Sequence, residues 1–187
     1  MGIHDYDLRM LDERLPGWKE GRVAVLGSQW IRETGQAWSG YAADNQIDST
    51  IFDWNGEDGA TKLDLCLPLP AEFVEAYDVV LNFGTSEHCH DQPAVFTNIH
   101  IMCKPGGAIV HSVPAQGYWR GHSPYKYTAA FFPALCELNG YTLLHQDVTR
   151  KHNHRAVLIR PLSPFKALPP VPFEPDYAQD NNNTPPS

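Results

Sequence analysis

The chain has no apolar run near the eighteen or so residues that a bilayer span requires, so no membrane-crossing helix is expected. Its opening, MGIHDYDLRMLDER, puts acids where a secretory leader needs a basic and then an apolar segment. Tyr6 also stands where N-terminal acylation wants Ser or Thr. Basic residues are scarce: 14 Lys and Arg against 22 Asp and Glu give a formal charge of −8. No basic cluster occurs, which argues against a nucleic-acid partner, because counterion release from a phosphate backbone needs clustered cations. The 4 cysteines, at 66, 89, 103 and 136, form no CxxC, so a reducing, cytoplasmic setting with Cys as a small hydrophobe is expected. Glu87, His88, His90 and Asp91 are metal-ligand types at close spacing. No HxxxH or CxxC completes a set, and no metal is expected.

What is present is a series of short apolar runs alternating with helical periodicity. At 187 residues there is room for one domain with a full core. Leu8, Leu11, Leu15 and Trp18 recur at helical spacing, which predicts a covering helix over 1–20. RVAVL at 22–26 reads as a first strand, and Trp30, Ile31, Thr34, Ala37, Trp38, Tyr41 and Ala42 mark the face of a following helix. STIFD at 49–53 is a second strand and 60–65 a third; Pro68 and Pro70 then open a short helix running to Ala76. The near-continuous apolar run 77–82 predicts a fourth strand covered on both faces. Asp91 caps a helix ending at Met102, with Pro93 in its first turn. A fifth strand at 107–113, a helix at 128–139 closed by Gly140, and strands at 141–148 and 155–160 follow. The residues between the last two strands cannot hold a crossover helix, so those strands form an antiparallel hairpin on an otherwise mainly parallel sheet. The domain is therefore 1–160, and 161–187, rich in Pro and Asn, reads as a tail whose PxxP-like spacing could also serve another domain as a ligand.

Three segments stand out in this frame: Asp64-Leu65 after the third strand, YDVVLNFGTSEH at 77–88, and KPGG at 104–107. With the acid that ends the second strand, they resemble the "D-V-V … E-H … L-K-P-G-G" run of class I S-adenosylmethionine-dependent methyltransferases, over roughly residues 22–160. The resemblance implies an α/β fold: a three-layer Rossmann-like sheet of seven strands, mostly parallel, with an antiparallel C-terminal hairpin and helices on both faces. It also implies S-adenosylmethionine as cofactor. The family's acid-x-Gly-x-Gly after strand one is replaced here by Leu26-Gly27-Ser28-Gln29-Trp30. Ser28 and Gln29 would narrow the backbone approach or substitute side-chain hydrogen bonds for it.

Carried over by position, Asp53 would accept hydrogen bonds from the ribose diol, or else only start the turn at Trp54. Asp64 would take the adenine amino group, with Leu65 against the ring, or else cap a turn. Gly27, Ser28 and Gln29 would lie under the cofactor, and Asn82, Phe83 and Gly84 would edge it. Glu87 and His88 are the candidate catalytic residues, His88 because imidazole can take a proton near neutrality; the same pair could instead cap the next helix. His122, Tyr125 and Tyr127 sit in an insert rich in polar tips on aromatic bodies, suited either to a small polar substrate or to packing on the sheet edge. The expected activity is methyl transfer to a small polar acceptor. The alternative is a non-catalytic domain that keeps the fold for interaction or regulation, in which Gln29 or Trp30 would fill the cofactor groove. A nicotinamide-dependent oxidoreductase ranks last for want of GxGxxG after strand one.

Overall fold

The computed structural model describes residues 2–169 and 173–175. Its strands are β1 (Val23–Leu26), β2 (Trp30–Ile31), β3 (Gln36–Ala37), β4 (Ser49–Asp53), β5 (Thr61–Lys62), β6 (Tyr77–Phe83), β7 (Cys103–Pro114), β8 (Tyr125–Tyr127), β9 (Thr142–Val148), β10 (Asn153–Ile159) and β11 (Phe173–Pro175). The helices are α1 (Asp5–Arg14), α2 (Trp38–Asp44), α3 (Gln92–Met102) and α4 (Phe131–Asn139). Seven strands form one sheet in the order β5-β4-β1-β6-β7-β10-β9, in which β10 alone runs against both its neighbours.

Alternate residues of the central strands feed two cores, which is why those strands read as unbroken apolar runs. Ala24, Leu26, Val80, Ile109 and Leu158 pack under α3 and α4. Val23, Val25, Leu81, Val110 and Val157 pack under α1 and α2. Asp91 accepts from the Ala94 amide at 3.0 Å and caps α3, and Gly140 closes α4 in the left-handed conformation. Arg155 pins α1 to the sheet: it forks onto Asp147 at 2.8 and 2.5 Å and reaches the buried Asp7 at 3.4 Å.

Three expected elements differ. The helix expected from Trp30 begins only at Trp38, because Gly35, at φ +72, turns 30–37 into the β2-β3 hairpin. The third strand contracts to Thr61–Lys62 at the sheet edge, and the helix expected after Pro70 is a single 3-10 turn, Ala71–Phe73. Past Arg160, the segment expected to be a tail packs for several residues. Asn139 Oδ1 accepts from the Lys166 and Ala167 amides at 2.7 and 3.3 Å, and Phe165 and Leu168 lie against the core. Phe173–Pro175 pairs antiparallel with β8, while 170–172 and 176–187 lie outside the described residues.

Candidate active site

Between β1 and β6 the sheet reverses its order of winding, and the loops leaving those strands splay apart to make a crevice at their carboxyl ends. The two loops are stitched at one atom. The Leu26 carbonyl accepts from Gln29 Nε2 at 3.0 Å and from Thr85 Oγ1 at 2.6 Å. Gly27 makes the turn at φ +77, where a Cβ would lie 2.6 Å from Thr85 Oγ1, so no other residue fits without displacement. From the neighbouring strand end, Asp53 Oδ2 accepts from the Ser28 amide at 2.8 Å and ties that loop to β4.

The crevice is a cavity of about 490 Å³ lined by Gly27, Ser28, Gln29, Asp53, Asp64, Leu65, Gly84 and His88, with Phe52, Trp54, Leu63, Cys66, Thr85, Cys89 and His90. Eight of the expected site residues thus meet in one place. Asp64 Oδ1 also accepts from the Cys66 amide at 2.9 Å, so it caps its own turn while lining the cavity. Trp54, 74% exposed, stands at the rim. Gln29, one of the lining residues, keeps a buried Oε1 that has no hydrogen-bond partner. This is a lining that suits an adenosyl cofactor, with apolar walls, two carboxylates and a backbone turn open to close approach.

A second cavity, of about 400 Å³, begins at Phe83 and includes Ser112, Pro114, Trp119, His122 and Asn153, with His4, Arg32 and Lys151 around it. Among the described residues, none in its lining carries a carboxylate. The two cavities meet at a pair of imidazoles: the rings of His88, on the first, and His122, on the second, stand 5.1 Å apart and nearly edge to face.

Beneath that pair lies Glu87, with its side chain 0% exposed and neither carboxyl oxygen hydrogen-bonded. Burial pushes its carboxyl up to about 8, only partly offset by the charge of Lys126. His88 Nε2 is 3.8 Å from Glu87 Oε1. Burial holds both His88 and His122 below the ordinary imidazole value.

Four expected site residues are placed elsewhere. Asn82 is fully buried and outside the crevice lining: its amide nitrogen donates to Ser86 Oγ at 2.8 Å and contacts His111 Nδ1 at 2.9 Å. Phe83 walls the second cavity instead of the first. Tyr127 is fully buried, and its hydroxyl donates to Gln92 Oε1 at 2.7 Å while lying 3.0 Å from Ser86 Oγ; it braces the loop and cannot grip a substrate. Tyr125 spends its hydroxyl on the His90 carbonyl at 3.0 Å. Both tyrosines are strand residues of β8, where the pairing sets their direction. Among the residues that the sequence did not flag, Thr85 and Trp54 directly follow flagged ones and could have been found by position. Arg32 and Lys151 come from segments that only the fold brings together.

A seven-stranded sheet of this order, with a crevice at the β1–β6 switch point, is the architecture of class I S-adenosylmethionine-dependent methyltransferases. Residues 18–154 match the model of the methyltransferase domain family, and the chain belongs to that family. No curated protein matches it. Among solved structures it is similar to an S-adenosylmethionine-dependent methyltransferase from Mesorhizobium loti, at 14% identity and a TM-score of 0.60, covering 81% of this chain and 96% of that one. It is also similar to 1,6-didemethyltoxoflavin-N1-methyltransferase from Burkholderia thailandensis, with bound 1,6-didemethyltoxoflavin and S-adenosylhomocysteine, at 14% identity, a TM-score of 0.52, and 83% and 82% coverage. A third similar fold is the [4+2]-cyclase SpnF, at 15% identity, a TM-score of 0.59, and 83% and 80% coverage.

Proposed function

We propose that the chain is an S-adenosylmethionine-dependent methyltransferase acting on a small polar acceptor, with the cofactor in the crevice beside Gly27 and the acceptor in the cavity beside His122. The observation that carries this is the open crevice. Gln29 folds back onto the Leu26 carbonyl and Trp30 turns outward, 47% exposed, so neither fills the groove, as a non-catalytic interaction domain would allow.

Bound there, S-adenosylmethionine would supply a methyl group on a sulfonium carbon that is already activated for in-line displacement. What remains for the protein is chiefly positioning, which can be worth about 7–11 kcal/mol when reacting groups are held near attack. Gly27 lets the backbone approach the cofactor, with Ser28 and Gln29 presenting polar groups in place of further glycines. Asp53 Oδ1, which takes only a long 3.5 Å bond from the Asn55 amide, is offered to the ribose hydroxyls, and Asp64 faces the adenine edge. Leu65, Phe52 and Leu63 form the apolar wall, and Trp54 closes the rim. His88 faces the acceptor at the junction of the cavities, with His122 on the far side and the buried Glu87 beneath the pair. Arg32 and Lys151 favour an acceptor that carries negative charge, the more so in a lining without carboxylates.

Calorimetry with S-adenosylhomocysteine tests this reading. One ligand should bind per chain, and Trp54→Ala should weaken it about tenfold, or 1.4 kcal/mol, while leaving the urea midpoint unchanged, because the indole is mostly solvated. Folded protein that gives no heat at millimolar ligand would sink the assignment.

A further inference from the structure

We propose that Glu87, His88 and His122 form a binding site for a divalent transition-metal ion. One ligand atom from each, the carboxylate oxygen and a ring nitrogen of either histidine, lies within 4.8 Å of the others. Glu87 is the strongest sign. A carboxyl removed from water with both oxygens unpartnered is costly whether charged or neutral, because the neutral acid still has an unbonded O–H, and such a group in a folded protein calls for an absent partner. His122 repeats the sign, since its Nε2 is buried and unbonded as well.

Ligands at metal-bond lengths of about 2.0–2.2 Å stand roughly 3–3.5 Å from one another. The 3.8 Å from Glu87 Oε1 to His88 Nε2 is already close to that, and inward rotation of the two imidazoles would complete it. His88, on a 3-10 turn and half-exposed, and His122, in the loop between β7 and β8, are placed to make that movement over the buried Glu87. Two imidazoles and one carboxylate select a first-row ion such as Zn²⁺, Co²⁺ or Fe²⁺ over Mg²⁺ or Ca²⁺, which prefer all-oxygen sites, and leave coordination positions open. Those positions face the junction of the cavities. On the methyltransferase reading, an acceptor oxygen would reach the ion there, and Glu87 and His88 would act on the acceptor by holding it. The binding of the ion does not depend on that reading.

Zn²⁺ titration of the full chain by calorimetry, with Co²⁺ absorption spectra in parallel, tests the site without cofactor. One Zn²⁺ should bind per chain and raise Tm, Mg²⁺ should not compete, and Glu87→Gln and His122→Ala should each weaken Zn²⁺ at least tenfold. His145→Ala, on the edge strand β9, should leave binding unchanged. No stoichiometric ion, or equal affinity in folded Glu87→Gln and His122→Ala, overturns the proposal. S-adenosylhomocysteine binding measured on the same samples separates the two outcomes: cofactor without metal defeats the ion site alone, and metal without cofactor defeats the methyltransferase reading alone.

Discussion

Gly27 shows how much a single residue decides. The turn it makes is left-handed, and its Cα faces Thr85 Oγ1 so closely that an added methyl would sit 2.6 Å away. A side chain there costs about 1–3 kcal/mol in backbone strain before the clash is counted. Gly27→Ala should therefore lower the urea unfolding free energy by at least that amount and weaken S-adenosylhomocysteine at least tenfold by calorimetry, because the stitch at Leu26 has to open. The departure from the family's glycine pattern also becomes intelligible at this scale. Gln29 uses its own amide to bind Leu26, and Asp53 holds the Ser28 amide, so side-chain hydrogen bonds fix this loop. Gly27 and Asp53 could be read from their positions after strands. That one carboxylate oxygen serves the neighbouring loop could not, since the contact joins residues from two strand ends.

The loop after β6 and the start of α3 are one hydrogen-bonded unit. Asn82 donates to Ser86, Ser86 donates in turn to the Tyr127 hydroxyl, and that hydroxyl donates to Gln92, whose amide nitrogen returns to the Ser86 and Cys89 carbonyls at 2.6 and 2.7 Å. The order follows because the tyrosine has one proton and the carboxamide oxygen of Gln92 can only accept. Tyr127→Phe leaves Gln92 Oε1 and the Ser86 hydroxyl short of a partner in a dry environment. Urea unfolding should show a loss of about 1–3 kcal/mol, the cost of orphaned buried polar groups. An unchanged midpoint would mean that the loop does not depend on this brace. The polar, aromatic insert suggested Tyr127 as a substrate contact, and composition alone could not distinguish a binding tyrosine from a bracing one. Strand pairing with β11 and the contacts across the sheet made the difference.

For the whole molecule, the acid side of the stability curve belongs to histidines sealed in the core. Burial drives His111 down to about 3 and His154 down to about 4, with His111 further disfavoured by His154 and the latter partly relieved by Asp147. Both fall below the unfolded value near 6.5, so protons bind the unfolded chain first. Their contribution is complete above pH 6.5 and is lost as pH falls through 4 toward 3. Glu87 and Asp7, raised by burial, act with the opposite sign, so the histidine share is read as a difference. In urea melts from pH 7 to pH 4, His154→Leu should lose less stability than the parent, and parallel curves would refute the assignment. The sequence by itself determined the architecture, because strand burial on both faces, a Pro-Gly-Gly stop and a hairpin too short for a crossover are written in local pattern, and seven strands in this alternation close in few ways. It also determined which strand ends carry acid and glycine. Only the tertiary structure decided which of those residues share a cavity, that Tyr127 turns inward, and that His122 comes over Glu87 and His88. Those contacts join segments far apart in the chain, and side-chain direction at such a junction is set by packing, which no local period records.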